Sequence, residues 1–131
     1  CIRDRAGLEK NFFLPGWRRD VAALLHASQI AALSSCWEGL PQVVPQACAA
    51  GLPIVATRVD GTPEVVQDGI NGFLVSPGDV ELLAERIVHL LDLPDKARAM
   101  GEAGQSMIVE FDINAMVRAQ EDLYQELISR Q

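Results

Sequence analysis

Glu38 stands on the short turn Trp37-Glu38-Gly39-Leu40-Pro41, and Gln46 follows it eight positions later, at the start of a helical pattern. A second turn, Asp60-Gly61-Thr62-Pro63-Glu64, follows the next apolar run. Carboxylates accept hydrogen bonds from hydroxyls, and a glutamine amide both donates and accepts. Backbone N–H groups at helix starts have no intrahelical partner and attract anions. Hydroxyls and phosphates together make up a nucleotide sugar, so Glu38, Gln46, Gly61 and Glu64 point to such a ligand. Other chemistries lose support. His26 and His89 lack a partner at metal-ligand spacing, and Cys1, Cys36 and Cys48 form no C-x-x-C pair, so no metal site is expected. The sequence has no G-x-S-x-G elbow, Walker lysine or G-x-G-x-x-G loop.

The elements that must position these residues read as alternating strands and helices. The apolar run Ile30–Leu33 stops at Ser34-Ser35, and a helix through Val44, Ala47, Cys48 and Ala50 follows the Glu38 turn until Gly51 ends it. Pro53-Ile54-Val55-Ala56-Thr57 then starts another strand. Strand, turn, helix and strand make a βαβ unit, whose right-handed crossover puts the Glu38 turn at the carboxyl edge of a parallel sheet. Open α/β sheets bind ligands at that edge. Upstream, Ile2 to Leu8 reads as a helix tail and Phe12–Leu14 as a short buried strand. Trp17, Arg18 and Arg19 form a loop, and Asp20 caps a helix bearing Val21, Leu24 and Leu25. This loop also falls at the carboxyl edge. Downstream, Thr62 and Pro63 open a short helix over Glu64 to Asp68, and Asn71-Gly72 leads into strand Phe73–Val75. Asp79, Asp95 and Asp112 start three further helices with apolar stripes, the first including Val80 and the last including Ile113, Tyr124 and Leu127. The expected architecture is an α/β, Rossmann-like parallel sheet with helices on both faces, in a single domain over residues 1–131.

The 131 residues are 49% hydrophobic, which suits one core, and no stretch approaches the apolar length of a membrane span. The chain carries a net charge of −7, unevenly spread: residues 1–78 hold seven acids and six bases, residues 79–131 eleven acids and five bases. The half with the candidate turns is therefore nearly neutral and able to hold phosphate, and no nucleic-acid surface is indicated. The first residue is Cys1 rather than an initiator Met, within what reads as a helix, so the chain is expected to be a piece of a longer protein, truncated on its N-terminal side.

These motifs resemble one enzyme family. Residues 38–46 are similar to the E-x7-E motif of retaining GT-B glycosyltransferases of the family-four type, also called glycosyl transferases group 1. The stretch from Glu38 through Ala49-Ala50-Gly51-Leu52-Pro53-Ile54-Val55-Ala56-Thr57 follows that family's pattern closely. Phe13-Leu14-Pro15-Gly16-Trp17, Gly61-Thr62-Pro63-Glu64-Val65-Val66, Asp68 to Val75 and Pro77-Gly78-Asp79 extend the resemblance over nearly the whole chain. It implies the later part of a C-terminal, donor-binding domain. On that basis Glu38 is the candidate catalytic residue, taking hydroxyls of the donor sugar, while amides around Gly39, Leu40 and Pro41 approach sugar and pyrophosphate. Gln46 stands where the family has the acid that clasps the ribose, a departure that exchanges a charged acceptor for a neutral amide. Trp17 and Arg18 resemble the wall beside the nucleobase, and Gly61 and Glu64 belong to the donor cradle.

The implied reaction moves a sugar from a nucleoside diphosphate with retention of configuration, without a cofactor or metal. The implied partners are the nucleotide-sugar donor and an acceptor glycan or lipid held by a domain this chain lacks. The fragment alone is expected to bind at best, to leave part of its last helix uncovered and so to self-associate, and the full protein to be cytoplasmic or peripheral at the membrane. Two rivals are a GT-B nucleotide-sugar epimerase, with other acids at these turns, and a non-catalytic binding or scaffold module in which Gln46 marks a decayed site.

Overall fold

The structure, a computed structural model, describes residues 2–130 apart from the side chains of Ile2 and Glu110. Cys1 lies outside the described residues. The order of elements is α1 (Ile2–Arg5), α2 (Val21–His26), β1 (Ala31–Leu33), α3 (Val43–Ala49), β2 (Ile54–Thr57), α4 (Thr62–Val65) and β3 (Gly72–Val75). Helices α5 (Val80–Asp92), α6 (Pro94–Met107) and α7 (Ile113–Ser129) follow, with a 3-10 turn, Ile108–Phe111, before the last.

The three strands form one parallel sheet in the order β1-β2-β3, with Ala32 beside Val55 and Val55 beside Phe73. Every residue of β2 and β3 is buried, as runs without alternation require of strands covered on both sides. Ile54 and Ala56 pack with Val44, Ala47 and Cys48 of α3 and with Val65 of α4. Val55 turns to the opposite face, where Phe73, Leu90 of α5 and Met100 of α6 close over it. Each such buried aliphatic side chain contributes about 1.5–3 kcal/mol relative to exposure. The small residues of α3 let that helix lie close to the sheet, and Pro45 falls in its first turn, where a missing N–H costs nothing. Gly51, at φ +73°, makes the left-handed turn that ends α3 and returns the chain to β2.

Before β3, Asn71 is fully buried and fully engaged. Its Oδ1 accepts from the amide of Gln67 at 2.7 Å, its Nδ2 donates to the carbonyl of Val65 at 2.8 Å, and Cys48 Sγ lies 3.9 Å away. An interior carboxamide with both ends satisfied avoids the 1–3 kcal/mol or so that an orphaned polar group costs.

The βαβ frame, the caps at Asp79 and Asp112 and the helices on both faces agree with the sequence; several local expectations do not. Phe12–Leu14 forms no strand: it is irregular, and Phe13 is 75% exposed. A strand needs a neighbour to take its ladder bonds, and among the described residues β1 pairs with β2 alone. Helix α4 begins at Thr62 and stops at Val65, because Val66 is extended at φ −94°, ψ 111°; its cap position is Gly61, not Thr62. Helix α6 begins at Pro94, one residue before Asp95, since proline suits the first helical position. Asp20 precedes α2 but makes no side-chain cap, its carboxylate being taken by Arg18. Val80 of the α5 stripe is exposed rather than buried, whereas the exposure of Ile113, Tyr124 and Leu127 on α7 agrees with the expected uncovered part of the last helix.

Candidate functional site

The loops after β1 and β2 meet at the carboxyl edge of the sheet, and hydrogen bonds fasten one to the other. Thr57 Oγ1, at the end of β2, donates to the carbonyl of Ser35 at 2.6 Å. The amide of Glu38 donates to Asp60 Oδ2 at 2.7 Å, and the amide of Gly61 donates to the carbonyl of Gly39 at 2.9 Å. That approach leaves no room at Gly61, where a Cβ would lie 2.7 Å from the Gly39 carbonyl oxygen. Glycine at position 61 is thus a condition for the two loops to touch.

Glu38 sits on this platform, half-buried. Ser35 Oγ donates to its Oε1 at 2.8 Å, which fixes the carboxylate by one corner; Oε2 accepts from none of the described residues. Among the described residues the amides of Gly39 and Leu40 also find no acceptor, and both residues are exposed, whereas Pro41 is buried and anchors the turn into α3. A carboxylate oxygen and two loop amides with unspent hydrogen-bonding capacity, on a base pinned by four bonds, can take hydroxyls and anionic oxygens side by side.

The structure brings together Glu38, Gly39, Leu40 and Gly61 of the expected set and distributes the others. Gln46 is exposed on α3, bordering a groove toward Val21, Leu25 and His26 of α2, and no hydrogen bond joins it to Glu38. Glu64 lies on α4 and lines a cavity of about 120 Å³ with Cys48, Asn71, Gly104 and Phe111, so it faces α6 and the 3-10 turn rather than the Glu38 turn. Trp17 is 81% exposed, with Arg19 stacked 5.2 Å from its ring centre. Arg18 is held by Asp20 through two bonds, at 2.7 Å and 2.5 Å. That pair holds the guanidinium above its ordinary pKa, and it lowers the Asp20 carboxyl together with a bond from the residue's own amide. Among the described residues, the side-chain hydrogen bonds and ring contact of Trp17, Arg18, Arg19 and Asp20 are internal to this loop.

Two residues that sequence reasoning left out complete the platform, Ser35 and Asp60. Ser35 was visible only as a strand terminator; Asp60 carried the signal of an Asp-Gly turn, in which aspartate tolerates a left-handed backbone. Among the described residues no group of three or more His, Cys, Asp or Glu could hold a metal ion, and no helix is long and apolar enough to cross a membrane.

An α/β unit whose candidate turns sit at the carboxyl edge of a parallel sheet defines a Rossmann-like class of fold, and comparison with known proteins narrows it. The family model for glycosyl transferases group 1 matches residues 2–93, and the chain belongs to that family. Among curated relatives, the Escherichia coli UDP-Gal:alpha-D-GlcNAc-diphosphoundecaprenol alpha-1,3-galactosyltransferase is 32% identical over 123 residues, 92% of this chain and 31% of that protein. The MMP alpha-(1->4)-mannosyltransferase of Mycolicibacterium hassiacum is 36% identical over 85% of this chain and 28% of its own length. Among solved structures, Anabaena HepE in complex with UDP superposes with a TM-score of 0.85 at 29% identity, over 97% of this chain and 35% of that one. Sucrose-phosphate synthase from Thermosynechococcus elongatus gives 0.89 at 26% identity, covering 99% of this chain and 33% of the enzyme. The chain spans about a third of the length of the curated relatives it matches.

Proposed function

We propose that this chain is the donor-binding part of a retaining glycosyltransferase that takes a nucleoside-diphosphate sugar. The observation that carries the reading is the Glu38 turn: a carboxylate held by Ser35 at one oxygen, with the other oxygen and the amides of Gly39 and Leu40 unspent. HepE, which this chain resembles along its length, has been solved with UDP and with UDP-glucose, and that supports a nucleotide sugar as the ligand. In this reading Glu38 accepts hydrogen bonds from hydroxyls of the donor sugar. The Gly39 and Leu40 amides face the sugar and pyrophosphate, and Gln46 meets the ribose from α3.

The chemical demand of the reaction is to stabilise a departing diphosphate while the acceptor hydroxyl attacks from the same face. Preorganised dipoles and cations meet that demand best, because they need no reorganisation as charge develops. The loop amides supply dipoles. Glu38 and Asp60 bring negative charge to the platform, so the cations that balance the diphosphate, like the acceptor glycan or lipid, are assigned to the part of the longer protein that this chain does not span. The chain alone then binds donor and does not transfer it, and transfer needs neither metal nor cofactor.

The test is sugar transfer by the full-length protein from a panel of nucleotide sugars, measured beside thermal unfolding. Glu38→Gln keeps the shape but weakens charge-assisted bonds to sugar hydroxyls, worth about 1.5–3 kcal/mol each. Transfer should fall by roughly ten- to a hundredfold with the melting temperature unchanged. Full activity in Glu38→Gln would remove the sugar-binding role from that residue, and release of an isomerised nucleotide sugar would favour an epimerase instead.

A further inference from the structure

Asp60 is, among the described residues, the one non-glycine position with a positive φ, at +39°. A left-handed backbone is unfavourable for a residue with a Cβ, and aspartate is one of the few that adopt it at small cost. That turn delivers a carboxylate across the site: Asp60 Oδ2 lies 2.7 Å from the amide of Glu38, 22 positions away in sequence. A charged acceptor holds a backbone N–H about twice as firmly as a neutral carbonyl does. Glu38 is consequently gripped from two sides, its backbone by Asp60 and its carboxylate by Ser35. Ser35 is itself held through its carbonyl by Thr57. Neither oxygen of Asp60 is spent on a cation among the described residues, so its interaction within this chain is with the Glu38 turn.

We propose that Asp60 is a positioning residue for Glu38: its left-handed turn carries a carboxylate that holds the Glu38 amide and so sets the direction of the Glu38 side chain toward the donor sugar. This rests on the reading of Glu38 given above. A displaced turn would still bind nucleotide, but its carboxylate would meet the sugar off line, and misplacement on the order of 1 Å costs up to roughly a hundredfold in rate. The bond spans the ends of two adjacent strands outside the buried core, so losing it leaves the packing of β2 intact.

The experiment uses the full-length protein with Asp60→Gly, Asp60→Asn, Glu38→Gln and the double variant Glu38→Gln/Asp60→Gly. Glycine keeps the positive φ and removes the acceptor; asparagine keeps both the φ and a neutral acceptor oxygen. The expected result is a roughly tenfold or larger fall in kcat for Asp60→Gly, with UDP affinity and melting temperature little changed, and recovery of most of that loss in Asp60→Asn. The double variant should be no slower than Glu38→Gln alone, since a positioning residue has nothing left to position, whereas independent effects would multiply. Wild-type kcat in Asp60→Gly beside an impaired Glu38→Gln overturns the positioning role while leaving the role of Glu38 standing. Multiplying losses, or losses that track the melting temperature equally in both Asp60 variants, overturn it as well. Wild-type transfer in Glu38→Gln overturns the reading of Glu38 and the proposal together.

Discussion

Under the proposed function, the neutral amide of Gln46 sets a limit on what this surface can offer a ribose. A glutamine gives one carbonyl oxygen to hydroxyl donors, and the gap between a neutral and a charged hydrogen bond is about 1 kcal/mol, or roughly fivefold in an equilibrium constant. Under the proposed function Gln46→Glu should therefore lower the donor KM in the full-length protein by about that factor, with kcat little altered, because the ribose is bound alike before and during transfer. An unchanged KM would place the ribose elsewhere. Among the cysteines, burial pushes the Cys48 thiol up, so it stays protonated and serves as a small apolar group between α3 and the Asn71 clasp. The same residue-by-residue view explains what the sequence hid. The turn bearing Glu38 is local and readable; its tie to Asp60 crosses 22 residues and depends on a single left-handed dihedral.

Elements follow the same division between local and distant causes. Asp79 and Asp112 cap α5 and α7 as their sequence positions announce, accepting from Leu82 at 3.0 Å and Asn114 at 2.9 Å. Asp20 has the same position relative to α2, but Arg18, two residues earlier, takes its carboxylate first. Phe12–Leu14 has the composition of a strand, yet composition cannot supply a neighbour. The Asp112 cap carries a pH dependence. Its carboxyl is held below the ordinary range by the Asn114 amide, with smaller help from Arg118. A depressed folded-state pKa means that the cap's contribution is present above the ordinary carboxylate range and lost as acid protonates the group. Amides of Asn114 and Ala115 should lose protection, measured against the intrinsic exchange rate at each pH, as the pH falls through that range, while those of β2 keep theirs. Equal behaviour in Asp112→Asn would show the cap's charge to be irrelevant.

Over the whole molecule, the buried groups gather around β2 while apolar side chains of α7 and of the loop before α2 face outward. The stripe on α7 is amphipathic in sequence, and a pattern of that kind reports which residues seek cover without saying what covers them. The sheet and its two helical layers were legible from apolar runs, and so was an uncovered stripe on the last helix, where Ile113, Tyr124 and Leu127 are exposed; the exposure of Val80 on α5 was not. The charge asymmetry was legible too, because counting needs no geometry. Chemical ageing is a further property of the whole molecule, and the Asn71 clasp governs it. Asn71-Gly72 is a covalent pair in which the glycine nitrogen readily attacks the side-chain carbonyl carbon, expelling ammonia and closing a succinimide. In the folded chain that carboxamide is buried, both its polar atoms are engaged, and Gly72 is held in β3. Ring closure must then wait for a molecule that has opened around β3, so isoaspartate at position 71 should accumulate far more slowly in the folded chain than in urea, as peptide mapping would reveal. Equal rates would mean that the clasp shields nothing; a large gap would make this one bond a clock that counts openings of the fold.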